Sequence, residues 1–286
     1  MTLFHSFLLG LLQGLTEFIP VSSTAHLLIG QQLLGLPAGD AMFSFLVIVQ
    51  LGTVVSLFIF YWKDVWKIIR ATLASLPMLF KRVTGKRDTG APDTGKLDTE
   101  ARLGWFILIA TLPALLAGYL LKDAVEALFK LPLMEASIRL FTAALLLTLA
   151  EWLTSKSRGL DSMTWLDALI IGLFQVISVF PGASRSGTTI SAGMLRGFDR
   201  KSAARFAFLM SIPVMLAAGG YEMLDVIKLP DLTSFLLPLT VGFVTAAIVG
   251  WLAVKWLIGY LSRHSLFVFA GYCAILGIIL LLIQLA

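Results

Sequence analysis

Apolar residues run along this chain in long blocks rather than in narrow stripes. About 20 consecutive apolar residues cross the hydrocarbon of a bilayer. Ser44–Trp62, Leu103–Leu121, Leu232–Val254 and Ser265–Ala286 reach about that length with no charge. Ile138–Leu153, which carries Arg139 and Glu151, and the shorter Phe206–Tyr221 complete a set of six predicted spans. Two further regions, Leu3–Leu36 and Trp165–Leu195, are apolar at both ends and broken in the middle. The breaks read Phe18-Ile19-Pro20-Val21-Ser22-Ser23-Thr24-Ala25-His26 and Phe180-Pro181-Gly182-Ala183-Ser184-Arg185-Ser186-Gly187-Thr188-Thr189. Each half is too short to span. Non-helical backbone survives at membrane depth only when buried in protein or lining a cavity. Both regions are therefore predicted to be re-entrant helical hairpins with polar tips. The expected architecture is an all-α polytopic membrane protein of about ten helical segments in one domain, 1–286.

The connections fix an orientation. The one long polar stretch, Lys81–Arg102, is rich in Gly, Asp, Thr, Lys and Arg and reads as a flexible loop. Placing the 63–102 segment on the cytoplasmic side and alternating puts 155–164, 196–205 and 255–264 there too. Those stretches hold 17 of the 22 Lys and Arg residues, the bias of the positive-inside rule. It requires each hairpin to return to the side it left. No Lys or Arg precedes Lys63, so the apolar start lacks the basic region of a secretory signal and reads as part of the mature chain.

Composition agrees and narrows the function. The chain is 58% hydrophobic and 14% charged, with mean hydropathy +0.91. Soluble domains carry about 25% charged residues, so a water-soluble enzyme and a disordered chain are both excluded. The net charge of +5 belongs to loops, and no nucleic-acid partner is expected. Cys273 is the single cysteine, which excludes an intrachain disulfide or a Cys-based zinc site.

The two broken regions also resemble each other. Gly10-Leu11-Leu12-Gln13 matches Gly172-Leu173-Phe174-Gln175, and Pro20-Val21-Ser22-Ser23 matches Pro181-Gly182-Ala183-Ser184. Later, Ala114–Leu120 matches Ala246–Leu252. Each half, about 1–154 and about 165–286, then holds one hairpin and three spans. Three is odd, so the halves insert in opposite senses. Inverted-topology repeats place their site at the repeat interface, on broken helices whose N-termini favour anions.

Ionisable residues at membrane depth are costly and mark function. Glu17, His26 and Arg185 stand out, with Gln13, Ser22, Ser23, Thr24, Ser184, Ser186, Thr188 and Thr189 around them. Gln13 and Glu17 are four apart and share a helix face. Pro20 ends that helix, and Ser22, Ser23 and Thr24 cap the next. In the second hairpin Pro181-Gly182 makes the turn, Arg185 offers a planar fork for phosphate oxygens, and Gly187 permits close backbone approach. Converging tips would set two helix N-termini, a guanidinium and several hydroxyls around one acid, an arrangement suited to an oxyanion. Ser23 lies three residues from His26, one turn away, so His26 is a candidate to activate it as a nucleophile. Glu17 could orient the histidine, act as base, or hold a divalent cation. Gln175 reads as a packing residue bonded to backbone. An intramembrane anion site with inverted halves also fits a secondary transporter or lipid flippase.

These two motifs, Gln13–His26 and Phe180–Ser191, closely resemble the signatures of the undecaprenyl-diphosphate phosphatases, the BacA-type bacitracin-resistance family. The resemblance spans essentially the whole chain. It implies a multi-pass enzyme of the bacterial inner membrane that converts undecaprenyl diphosphate to the monophosphate carrier of cell-wall synthesis. Its site would open toward the outer, periplasmic face. Ser23 falls on the family's nucleophilic serine and His26 on its histidine. Ser184, Arg185 and Thr189 fall on its phosphate-binding residues, with Ser22, Thr24 and Ser186 beside them. The family motif begins with Glu or Gln; Gln13 takes the Gln form and leaves Glu17 as the only motif acid. Ala25 replaces a glycine common before the histidine. A divalent cation, Mg or Ca, is expected from the resemblance, held at Glu17 and partly by substrate phosphates. The expected partners are the lipid substrate, membrane lipids and, as an assembly open to such a chain, a second copy in a homodimer. Two routes remain open: attack by Ser23, or by a water that Glu17 activates.

Overall fold

The computed structural model describes residues 1–37, 39–83, 97–121, 132–155, 157–179, 183–226 and 232–285. Among them are eleven α-helices and no β-strand. They are α1 (Leu3–Thr16), α2 (Ser23–Leu33), α3 (Asp40–Phe60), α4 (Trp62–Val83), α5 (Thr99–Leu120) and α6 (Pro132–Leu153), followed by α7 (Trp165–Ile177), α8 (Arg185–Leu195), α9 (Arg200–Val226), α10 (Leu232–Leu261) and α11 (Phe267–Leu285). Six of them, α3, α5, α6, α9, α10 and α11, are long and apolar enough to cross a membrane. They coincide with the six predicted spans. The pairs α1/α2 and α7/α8 are the broken regions, and α1 and α7 are apolar but short.

Two expectations about extent change. The 63–102 segment is not a plain loop: its first half is α4, and α5 begins at Thr99. Residues 84–96 of the expected 81–102 loop lie outside the described set. A search for uncharged windows passes over α4, because Lys63, Asp64, Lys67 and Arg70 alternate with Trp62, Val65, Trp66 and Ile68 at helical spacing. Val65 and Ile68 are buried, and α4 packs on α5. The sixth span, α9, runs well beyond Phe206–Tyr221. Its charged start is stable because partners meet it: Arg200 donates from Nε and Nη2 to Glu151 at 2.6 and 2.7 Å, and Arg205 Nη2 to Asp64 at 3.0 Å.

Each short arm leans on a long helix from the other half of the chain. α1 packs most extensively on α10, and α7 on α5. Small residues permit the approach, as membrane helix packing favours. A Cβ at Gly10 would stand 2.5 Å from the carbonyl oxygen of Gly242, and one at Gly172 would stand 2.5 Å from that of Ala110. The sequence match aligns Gly10 with Gly172 and, carried back one turn from Ala114 and Ala246, Ala110 with Gly242. The two contacts are thus the same contact made twice. The remaining matched helices pair with each other, α3 on α9 and α6 on α11.

The base of the second hairpin is locked by charge. Asp167, in the first turn of α7, is fully buried and accepts from Arg158 Nη2 at 2.8 Å, Arg196 Nε at 2.7 Å and Thr164 Oγ1 at 2.8 Å. Burial alone would raise its carboxyl; the bonds from Arg158, Thr164 and Arg196 outweigh that and hold it well below the usual carboxylate range. The tip at the other end of α7 and α8 is thereby carried on a fixed stem.

Candidate active site

The first tip is built by a helix that stops early. α1 ends at Thr16, and Glu17 closes it as C-cap, its N–H donating to Gln13 O at 3.0 Å. Pro20 lies three residues on and cannot continue the ladder. Ser22 then caps α2, its Oγ accepting from Ala25 N at 3.4 Å. Ser22 has φ 67° and is the one non-glycine residue with positive φ among those described. That left-handed conformation costs about 1–2 kcal/mol and turns the chain sharply at the tip. The Ser22 carbonyl accepts from His26 Nδ1 at 2.9 Å, which offsets part of the strain.

The second tip repeats the plan. Ser184 caps α8, its Oγ accepting from Gly187 N at 3.1 Å and lying 3.3 Å from Ser186 Oγ. A Cβ at Gly187 would press on Ser184 Cβ at 3.1 Å, so glycine lets the cap close. Thr188 and Thr189 donate to the Arg185 carbonyl at 2.9 and 2.8 Å. The expected Pro181-Gly182 turn lies outside the described residues.

The tips meet at Glu17. Its Oε2 accepts from Gln13 Nε2 and from Ser23 Oγ, both at 2.7 Å. Its Oε1 accepts from Arg185 Nη2, which arrives from 168 residues away. Glu17 is buried, while the Arg185 side chain is 21% exposed, so the cluster can be reached from the guanidinium side. Ser22, Ser184, Ser186 and Thr189 are buried around it, and Ser23 and Thr24 are half-buried on the first turn of α2.

One expected pairing differs. Ser23 turns to Glu17 instead of His26, and the His26 ring faces Tyr272 of α11, Nε2 to the hydroxyl at 2.8 Å with the rings stacked 5.7 Å apart. A carbonyl can only accept, so His26 carries its proton on Nδ1, and in the neutral ring Nε2 accepts from the Tyr272 O–H. The physical reason is helix geometry: His26 takes the Ser22 carbonyl one turn back, which swings its ring away from Ser23. Gln175 also departs from expectation. It is buried, and among the described residues neither amide atom has a hydrogen-bond partner. Its counterpart Gln13 has Glu17 four residues on, whereas Gln175 has Val179.

Three residues near the site carried no expectation of a role. Tyr272 is 246 residues from His26 and has no local signal. Glu135 and Arg139 on α6 form a buried ion pair; their four-residue spacing inside an apolar segment is the signal that could have found them.

The donor set suits a hard divalent cation. Gln13 Oε1, on the amide that bonds Glu17, is buried and has no hydrogen-bond partner among the described residues. A carboxylate and an amide oxygen are ligand types for Mg or Ca, with further oxygens still required. No cluster of three or more His, Cys, Asp or Glu occurs among the described residues.

Comparison with known proteins follows the same line. The family model for bacitracin resistance protein BacA matches residues 6–279. An undecaprenyl-diphosphatase of Anaeromyxobacter dehalogenans is 42% identical over 94% of this chain and 87% of its own length. One of Chlorobaculum parvum is 38% identical over 99% and 97%, and one of Methanosphaera stadtmanae 38% over 97% and 96%. With six apolar spans and a family match over nearly its full length, this chain is a multi-pass membrane protein belonging to the BacA family.

Proposed function

We propose that this protein hydrolyses undecaprenyl diphosphate to undecaprenyl phosphate and inorganic phosphate, recycling the lipid carrier of cell-wall synthesis. The relatives' names supply the substrate. The observation that carries the chemistry is the pair of bonds at Glu17: the Ser23 hydroxyl on one oxygen and Arg185 of the second tip on the other.

The diphosphate head enters between the tips while the prenyl tail lies among apolar helices. Arg185 has N–H donors beyond the one given to Glu17 and takes terminal phosphate oxygens on them. The first-turn N–H groups of α2 and α8 add the partial positive charge of helix N-termini. Glu17 removes the Ser23 proton as Oγ attacks the terminal phosphorus. The bond from phosphorus to the bridging oxygen breaks, and the prenyl monophosphate leaves with that electron pair. Glu17 passes that proton to the departing monophosphate and then deprotonates a water that attacks the phosphorus. The phosphorus–Oγ bond breaks, Ser23 Oγ takes the proton back from Glu17, and phosphate is released. Most of the rate comes from positioning and charge stabilisation. His26, with its tautomer set by Ser22 and Tyr272, fixes the backbone turn that presents Ser23. A divalent cation at Glu17 and Gln13, when bound, neutralises phosphate charge. The matched helix contacts support the inverted-repeat reading, with halves of about 1–154 and 165–286. Basic residues concentrated on the 63–102, 155–164, 196–205 and 255–264 stretches support placing those stretches on the cytoplasmic side of the inner membrane; a site open to the outer face is carried over from the family resemblance.

The test is phosphate release by purified protein in detergent, where no gradient exists. Wild type should release phosphate from a prenyl diphosphate, and Ser23→Ala and Arg185→Ala should lose nearly all of it while keeping the folded helical signal. Wild-type rates in both variants would defeat the proposal. Transport without hydrolysis would favour the transporter alternative.

A further inference from the structure

We infer that Arg139, anchored by Glu135, is a positioning residue that sets the second tip for phosphate. The pair sits on α6, which packs against α2, α8 and α11, the helices that carry Ser23, Arg185 and Tyr272. Arg139 Nε and Nη2 both donate to Glu135 Oε1, at 2.9 and 2.7 Å. Its Nη1 donates to the Ala183 carbonyl at 3.3 Å. Both side chains are almost fully buried, at 5% and 4% exposure.

Ala183 is the residue before the Ser184 cap. Fixing its carbonyl fixes the peptide that leads into α8, and with it the direction of the first-turn N–H groups and of Arg185. One turn further along the same face of α6, Ala143 underlies Gly187; a Cβ there would lie 3.7 Å from Ala143 Cβ. Arg139 and Ala143 thus form a seat for the N-terminus of α8. The guanidinium is suited to this because its N–H groups are fixed in one plane and can serve carboxylate and carbonyl together. A lysine ammonium cannot hold that geometry. A buried ion pair is weak as a source of stability, since desolvation consumes most of its attraction. Its place at the entry to α8 gives it a different use, orienting a group that binds the phosphate.

The inference rests on the reading that the second tip grips phosphate. Its test is a pair of double-mutant cycles on kcat/KM for prenyl diphosphate hydrolysis. Arg139→Lys should lower kcat/KM about 10²-fold, the scale of a small displacement of catalytic groups. Combined with Ser184→Ala it should cost little beyond either change alone, because both disturb the same turn. Combined with Gln13→Ala on the first tip, the losses should multiply. A kcat/KM for Arg139→Lys within about threefold of wild type, or losses that multiply equally with both tips, would overturn the inference. If Arg139→Lys does not fold, the isosteric Glu135→Gln is read through the same cycles with the same outcomes. Full activity in Arg185→Ala would refute the phosphate-site reading instead, which keeps the two failures apart.

Discussion

Glu17→Gln separates the base from the cluster it holds together. The amide matches the carboxylate in shape, so packing around it is retained. The carboxylate accepts three donors, from Gln13, Ser23 and Arg185; the amide offers one acceptor oxygen and cannot take the Ser23 proton. Loss of a general base costs about 10²–10⁴ in rate, or about 3–5 kcal/mol of transition-state stabilisation. The stability cost is smaller. Arg185 loses its carboxylate partner, but it is 21% exposed, so about 1–2 kcal/mol is expected. Freed from Glu17, Arg185 has more donors for phosphate. The expected signature is therefore a kcat lowered about 10³-fold with KM unchanged or lower. Steady-state phosphate release across substrate concentration reads both constants. A raised KM with kcat within about threefold of wild type would refute the assignment, leaving Glu17 as no more than an anchor for Arg185.

Tyr272→Phe removes the hydroxyl that bonds His26 Nε2; losing one bond of about 1 kcal/mol should lower kcat/KM about fivefold, read in the same assay. Gly10→Ala and Gly172→Ala place a methyl 2.5 Å from a backbone oxygen and should each lower stability by about 1–3 kcal/mol. Gly259→Ala, with nothing within 4 Å, should leave the detergent unfolding midpoint unchanged or raised. Asp167→Asn should destabilise by about 2 kcal/mol at pH 7, discounted because both arginine partners are about one-third exposed. The folded carboxyl is held low, so its contribution is complete above the unfolded value near pH 4 and fades as pH falls below it. The gap between wild type and variant in thermal unfolding should accordingly narrow below about pH 4.

The spans were legible because bilayer thickness imposes a length and a polarity that a sequence displays directly. The hairpins were legible because Pro20 and the Ser-rich breaks interrupt stretches that would otherwise cross. α4 was hidden because its charges and aromatics share one helix, which an apolar window averages away. At the site, Gln13 and Glu17 could be placed on one face from their spacing alone, and the repeat suggested that Arg185 would join them. The partner of His26 could not be read, since Tyr272 lies on the last helix and only packing brings it near. Local spacing also misdirected the Ser23 assignment. It offered His26 as the nearer base, whereas the fold presents the carboxylate of the preceding helix. Arg139 was visible only as a charge tolerated in an apolar span, because its contact with Ala183 crosses 44 residues.

The proposed mechanism requires both tips to grip one diphosphate head. The direct measurement is the shift in unfolding midpoint caused by a non-hydrolysable prenyl methylenediphosphonate, in wild type, Thr24→Val of the first tip and Arg185→Ala of the second. At a ligand concentration 100 times its Kd the wild type should gain about 2.7 kcal/mol, and both variants should lose most of that shift. A full shift in either variant would contradict a site shared between the two hairpins.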